Sequence, residues 1–158
     1  MMDFINTTLS SVTQALINLE KDSKDYEHEL IKLKRLYLLE CRTNLKILDI
    51  SKNTKIELDD AFKLLKHLHN ESSYVLYIQA DQSLLKSIFK KVKKNNDLDP
   101  IKNDELLISI ISKIELLKLL ASNFEYLESQ SVIRIRARIN NLYVQLKEVV
   151  KTFNDDIN

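Results

Sequence analysis

Apolar residues recur at alternating steps of three and four, which is the spacing of a stripe along one face of an α-helix. The first stripe comprises Ile5, Leu9, Val12, Leu16 and Leu19, and the second comprises Tyr26, Leu30, Leu33, Tyr37, Cys41, Leu45 and Leu48. The polar residues 22–25 separate them, although Leu19 and Tyr26 are seven residues apart and keep the register. We expect a break or kink at 22–25, but one continuous helix over about residues 3–51 fits the same pattern.

Shorter helices are predicted in the middle of the chain. Residues 54–57, Thr-Lys-Ile-Glu, match a capping box, in which the threonine accepts a hydrogen bond from the amide three residues later, so a helix is expected to begin there. Residues 73–79 contain β-branched and aromatic side chains that suit either a strand or a helix, and we interpret them as helix. Asp81 is a suitable N-cap for a further helix, whose inward residues are Leu85, Ile88, Phe89 and Val92.

Residues 95–103 interrupt the apolar pattern and include Pro100. Because the residue before a proline disfavours helical backbone, this stretch is predicted to be a loop that divides residues 1–94 from a helical hairpin over 104–154. The first hairpin helix has a broad apolar arc over 106–127, which predicts neighbouring helices on two sides. The second carries one long stripe: Ile135, Ile139, Leu142, Leu146, Val149 and Phe153. Its start also alternates like a strand, but the longer stripe favours a helix.

The predicted fold class is all-α: an antiparallel bundle of four to six helices with long amphipathic N-terminal and C-terminal helices, forming a single domain over residues 1–158. The composition agrees with this class, because the sequence contains no glycine and one proline. Phosphate-binding loops, dinucleotide fingerprints and tight hairpin turns all depend on glycine. A hydrophobic content of 44% favours an ordered core over a disordered chain.

The charge balance gives no overall attraction to nucleic acid or lipid, since 24 basic residues face 23 acidic ones. The most apolar stretch, residues 106–121, contains three charged residues, so we interpret it as a buried helix and expect no membrane association. Cys41 is the single cysteine, and the first residues lack the basic and apolar regions of a signal peptide. These features predict a cytoplasmic protein.

Catalytic and metal-binding motifs are not evident in the sequence. His67 and His69 are two residues apart and would point to different faces of a helix, whereas helical metal ligands lie three or four apart. No histidine follows an arginine at the spacing found in small helical ribonucleases, and no Glu-x-x-His motif suggests a carboxylate-bridged metal site. We therefore expect no enzyme activity, no catalytic residues, no metal and no cofactor.

A lysine-rich helix face is the strongest local positive patch. Its members are Lys86, Lys90, Lys91, Lys93 and Lys94. Such a face could bind nucleic-acid phosphates, with a steep dependence on salt. It lacks arginine for paired contacts to bases and lacks aromatic residues on its basic side, so a solvated face of an amphipathic helix is the alternative.

Three arginines at the start of the last helix need an explanation, because cations there oppose the helix dipole. They are Arg134, Arg136 and Arg138, while Glu40 and Asn44 take positions on the second stripe where apolar residues are expected. Polar residues on a buried seam often fix register or pairing. We expect Glu40 and Asn44 to meet one of these arginines, within the bundle or across a subunit interface. The alternative is an intramolecular bridge with no further role.

The long amphipathic stripes and the lack of catalytic groupings favour a non-catalytic interaction protein. Examples are an accessory subunit, an adaptor or an antitoxin-like inhibitor in a bacterial or phage complex, including complexes that serve in defence. The partner would be another protein chain or a second copy, with Tyr74 and Tyr77 as further contact residues beside the arginines, Glu40 and Asn44. The alternative function is a nucleic-acid-associated protein that uses the lysine-rich face.

Overall fold

The helices predicted from the apolar stripes are present in the computed structural model, which describes residues 23–94, 101–126 and 129–157. These residues form α-helices and 3₁₀ turns and no β-strand, so the predicted all-α class is confirmed. The α-helices are α1 (Ser23–Ser51), α2 (Leu58–Leu65), α3 (Glu71–Gln79), α4 (Gln82–Phe89), α5 (Leu106–Ser122) and α6 (Ser129–Ile157), and the 3₁₀ turns are Asn103–Glu105 and Phe124–Tyr126. The stripe at 5–19 and most of the predicted loop lie outside the described residues.

The two longest helices, α1 and α6, have 29 residues each and pack against each other. The ring centroid of Tyr37 lies 5.6 Å from that of Phe153. Near the other end, the Lys52 ammonium lies 4.7 Å from the ring centroid of Tyr143. Positions further along α1 therefore face positions further back along α6, which makes this pair antiparallel. The antiparallel order of the remaining helices and the single domain stay predictions.

The core is one cluster of buried apolar side chains to which all six helices contribute. Tyr37 and Phe89 meet edge to face across α1 and α4, and Phe62 stacks on Phe124 with ring centroids 5.2 Å apart. Helix α5 packs on α2, α3 and α6, as its broad apolar arc predicted. Its buried side chains are Leu106, Leu107, Ile110, Ile111, Ile114, Leu117 and Ala121. Burial of these stripes supplies most of the stability of helices that would be marginal in isolation.

The boundaries of the helices correct part of the sequence analysis. Helix α1 runs unbroken from Ser23, so the break predicted at 22–25 is not found at 23–25. The capping box at 54–57 is also wrong, because α2 begins at Leu58. The Lys55 N–H donates to Asn53 Oδ1 at 3.0 Å, and this local turn competes with helix formation.

Two other helix predictions are confirmed. Residues 73–79 lie within α3, as expected. Asp81 is the N-cap of α4, since its side chain accepts a hydrogen bond of 2.8 Å from the Leu84 N–H. Among the described helices, none is both long and apolar enough to span a membrane.

Candidate functional site

Glu40 binds the N-terminus of α3. Its carboxylate accepts hydrogen bonds from the backbone N–H of Ser72 at 2.7 Å and of Ser73 at 3.1 Å, and it also accepts from the Ser73 hydroxyl. Ser72 and Ser73 are the second and third residues of α3, where N–H groups have no partner inside the helix. A carboxylate at this position supplies the missing acceptors and is favoured by the helix dipole.

Asn44 holds the residue that precedes α3 by two positions. The His69 N–H donates to Asn44 Oδ1 at 2.8 Å, and Asn44 Nδ2 donates to the His69 carbonyl at 2.6 Å. Because Glu40 and Asn44 are four residues apart, they lie on the same side of α1. We call these two residues the α1–α3 clamp, since together they fix residues 69–73 against α1.

The predicted pairing of Glu40 with an arginine inside the bundle is therefore wrong, while pairing across a subunit interface stays a prediction. In α6, Arg134 and Arg138 are exposed and Arg136 is partly buried, and no ion pair joins them to Glu40 within the described ranges. The antiparallel packing explains this result. Tyr37 is level with Phe153, so Glu40 is level with about Val150, and Arg138 lies twelve residues from that level, or roughly 18 Å along the helix axis.

Burial sets the protonation of the groups around the clamp. It raises the pKa of Glu40 to about 7, although the hydrogen bonds from Ser73 and Ser72 oppose that rise. Burial also raises the pKa of the neighbouring Cys41 thiol, and it lowers the pKa of His69. A thiol held protonated in the core is a poor nucleophile. The Glu40 carboxylate and the Asn44 amide thus serve the packing of α1 on α3, since both are bonded to backbone groups of residues 69–73.

The two tyrosines predicted as contact residues differ in their surroundings. Tyr74 is partly buried and its hydroxyl donates to the Glu115 carboxylate, which links α3 to α5. Tyr74 is therefore held by a neighbouring helix of the same chain, and its role as a contact residue stays a prediction. Tyr77 is exposed near the end of α3, beside Ile78.

Three residues of the predicted lysine-rich face line one open depression of about 600 Å³. They are Lys86, Lys90 and Lys94, and Lys102 lines the same depression from the start of the C-terminal half. Sequence reasoning missed Lys102, because residues 95–101 separate it from the other lysines in the sequence. The only available signal was its position at the end of the predicted loop. We call this feature the lysine depression.

The other two lysines of the predicted face point elsewhere. Lys91 forms an ion pair of 3.1 Å with Asp156 at the end of α6, and Lys93 is exposed. Asp104 also lines the depression, and its Oδ1 is buried without a hydrogen-bond partner. The depression therefore gathers four ammonium groups around one carboxylate.

A second stripe, largely apolar, runs along α1 beside the clamp, about 80° from it around the helix axis. Its members are Leu36, Leu39, Thr43, Ile47 and Ile50, spaced by three and four residues. Leu36 and Ile47 pack partly against the core, whereas Leu39 is 42% exposed and Ile50 is 51% exposed. We call this stripe the outer α1 face. The sequence analysis missed it because the inner stripe of the same helix is longer and more regular.

One border of the outer α1 face is basic. Arg35 precedes Leu39 by four residues, and Lys46 precedes Ile50 by four, so both cations lie beside the exposed apolar residues. Both are exposed, and neither takes part in an ion pair within the part of the chain that the structure describes. Arg42, on the same border, donates to Asn154 of α6.

Within the described ranges, no three histidine, cysteine, aspartate or glutamate residues lie close enough together to hold a metal ion. The candidate sites of this molecule are therefore surfaces: the outer α1 face and the lysine depression. The comparisons with known proteins add no identity, because no protein-family model, no curated protein and no solved structure matches this chain.

Proposed function

We propose that this chain is a non-catalytic interaction protein that binds an amphipathic helix of another protein on the outer α1 face. The observation that carries the proposal is the exposure of Leu39 and Ile50 on a stripe with helical spacing, on a helix whose opposite side is already buried. Helices commonly dock on such a face through anchors spaced by three, four and seven residues. Accessory subunits, adaptors and antitoxin-like inhibitors all act in this way, without catalysis.

The charges beside the face indicate the chemistry of the partner. Arg35 and Lys46 form a basic border without ion pairs in the described residues, so a partner helix with an acidic border would complement them. A second copy of the chain would bring the same basic border against itself, which is unfavourable. An acidic amphipathic helix from a different protein is therefore the better of the two predicted partners.

The two exposed anchors contribute enough apolar surface for a measurable effect. About half of each side chain remains to be buried, which is worth about 1 kcal/mol for each of Leu39 and Ile50. Glutamate at both positions removes this contribution and adds repulsion against an acidic partner. The expected loss of affinity is more than about tenfold, since 1.4 kcal/mol corresponds to a factor of ten.

The test compares two double variants of the tagged full chain in quantitative affinity purification from its source cells. Leu39→Glu with Ile50→Glu is expected to lose a partner that the unmodified chain retains. The matched control is Leu119→Glu with Ile78→Glu, because these side chains are 61% and 69% exposed but lie on other helices. Far-UV circular dichroism of both purified variants checks that they keep the helical fold. Equal retention by both variants, or equal loss, would contradict the proposal.

A second candidate function is binding of a nucleic acid or similar polyanion in the lysine depression. The observation that favours it is Lys102, which adds a fourth ammonium group from a separate segment to Lys86, Lys90 and Lys94. Phosphate contacts of this kind make binding fall steeply with salt.

This candidate is tested with fluorescently labelled single-stranded DNA and anisotropy measured over a range of salt concentrations. Lys90→Glu with Lys94→Glu is expected to lower the logarithmic salt slope by about 2, since each lost phosphate contact lowers it by about 1. The matched control is Lys55→Glu with Lys66→Glu, at exposed positions away from the depression. Binding that is insensitive to salt, or reduced equally by both pairs, would exclude the candidate.

A further inference from the structure

The α6 side of the boundary between α1 and α6 carries exposed cations that neither proposed function uses. Two lysine ammonium groups approach the ring of Tyr143 in α6. That of Lys52, directly after α1, lies 4.7 Å from the ring centroid, and that of Lys147 in α6 lies 5.4 Å from it. Because both lysines meet at one ring, Lys147 lies on the edge of α6 that borders α1.

The next cation along this edge is Lys151. It follows Lys147 by four residues and precedes Asn154 by three, so the three side chains share one side of α6. Asn154 accepts a hydrogen bond from Arg42 of α1. Lys151 therefore also lies where α6 meets α1, and both lysines are exposed.

The facing edge of α1 is basic at the same level. Arg42 and Lys46 are four residues apart on one side of α1, and both are exposed. The contacts of Arg42 and Lys52 with α6 bracket Lys46, so Lys46 is level with the part of α6 that contains Lys147 and Lys151. We call Arg42, Lys46, Lys147 and Lys151 the α1–α6 cation cluster.

The fold leaves this cluster without counter-charge. None of its four members forms an ion pair with any residue that the structure describes. Asp49 of α1 is bound to Lys52 at 3.2 Å, and Asp156 of α6 is bound to Lys91. Glu148 and Asp155 also belong to α6, but neither pairs with the cluster within the described ranges. The cluster therefore attracts anionic groups from outside the chain.

The cation cluster adjoins the outer α1 face. Lys46 precedes Ile50 of that face by four residues and lies beside it on the helix. Packed helices have axes about 8–10 Å apart, so a partner helix on α1 lies within two such spacings of α6. The long side chains of Lys147 and Lys151 extend into this interval from the near edge of α6.

We propose that the α1–α6 cation cluster binds the acidic border of the partner helix, so that Lys147 and Lys151 belong to the same interface as Leu39 and Ile50. The inference rests on the proposed function and specifies its partner: acidic residues recur at steps of three or four along one flank of an apolar stripe, matching the spacing of the cations on both helices. A single-stranded nucleic acid fits less well, because the adjoining face is aliphatic and offers no aromatic ring for base stacking.

The experiment uses a fluorescently labelled synthetic helical peptide with leucine along one face and glutamate along one flank. A second peptide has lysine in place of each glutamate. Binding to the full chain is measured by anisotropy at several salt concentrations. Lys147→Glu with Lys151→Glu should weaken binding of the glutamate peptide about fivefold, or about 1 kcal/mol for two exposed ion pairs, and should reduce its salt dependence. The matched control is Lys86→Glu with Lys90→Glu, which has the same spacing and charge change on α4 and should leave binding unchanged.

A third variant, Leu39→Glu with Ile50→Glu, separates the inference from the proposed function. If it loses the glutamate peptide while the Lys147 and Lys151 variant binds normally, the inference is overturned and the proposed function stands. If it binds normally, the proposed function is contradicted and the inference falls with it. Equal weakening by the control variant, equal binding of both peptides, or no binding of the glutamate peptide also overturns the inference. Tighter binding of labelled single-stranded DNA that is lost in the Lys147 and Lys151 variant would assign the cluster to nucleic acid instead.

Discussion

Replacing Glu40 with glutamine is expected to remove a large pH dependence of the free energy of unfolding. Burial between α1 and α3 raises the pKa of Glu40 from the ordinary 4.5 to about 7. Between these two pH values the folded chain keeps a proton that the unfolded chain has released. The contribution of Glu40 is therefore fully present below pH 4.5, falls as pH rises through this window, and is constant above about pH 7.

The size of this effect follows from the interval between the two pKa values. At about 1.4 kcal/mol per pKa unit, a rise from 4.5 to about 7 corresponds to roughly 3 kcal/mol of stability lost across the window. Glutamine stays neutral throughout. It offers one acceptor oxygen to the N–H groups of Ser72 and Ser73, as the protonated Glu40 carboxyl does, because the O–H of that carboxyl donates and does not accept. The stability of the variant should therefore be close to that of the unmodified chain near pH 4.5, and the variant should be the more stable of the two by up to roughly 3 kcal/mol near pH 7.5.

The assay is urea unfolding followed by far-UV circular dichroism at several pH values from 4 to 8. The lowered pKa of His69 contributes a slope of opposite sign, but it does so in both proteins, so the difference between them isolates Glu40. Glu57→Gln is the control, because Glu57 is exposed and makes no capping hydrogen bond with its side chain. A difference between the Glu40→Gln variant and the unmodified chain that stays constant from pH 4.5 to 7.5 would refute this reasoning.

Two further substitutions test the other contacts that position α3 and α4. Asn44→Ala leaves the backbone N–H and carbonyl of His69 unpaired, and each unpaired group costs about 1–3 kcal/mol, so its urea midpoint should fall well below that of Thr43→Ala. Equal midpoints for these two variants would show that the hydrogen bonds of Asn44 contribute nothing to the free energy of unfolding. Asp81→Ala removes the N-cap of α4 and should cost about 1 kcal/mol in the same assay, whereas Ser83→Ala should have little effect; equal losses would count against the cap.

The sequence marked Glu40 and Asn44 as unusual but could not identify their partners. Their positions on an apolar stripe indicated a buried seam, and both side chains are buried. The partner, however, is the backbone at the start of α3. Every residue carries the same backbone groups, so the sequence does not show which of them Glu40 and Asn44 bind. The arginines seemed suitable as partners because the sequence does not give their distance from Glu40. That distance depends on how α6 packs against α1.

The local helix-start signal at residues 54–57 failed beside a side chain that binds the same backbone. The Asn53 side chain accepts a hydrogen bond from the Lys55 N–H, and the turn that this bond forms replaces the predicted helix start at Thr54. Asp81 was identified correctly as an N-cap, since its side chain accepts from the Leu84 N–H. Lys102 and the outer α1 face were missed for another reason, since both depend on which surfaces the packed helices leave exposed.

Site-specific photo-crosslinking tests the central claim, that the outer α1 face binds an acidic helix of another protein. A photoreactive amino acid replaces Leu39 in one full-length variant and Leu119 in the other, and both are irradiated in the source cells. We expect crosslinks from position 39 to an amphipathic, acidic helix of a different protein, and none to that protein from position 119. Identical products from both positions, crosslinks only to a second copy, or no crosslink at position 39 would contradict the claim.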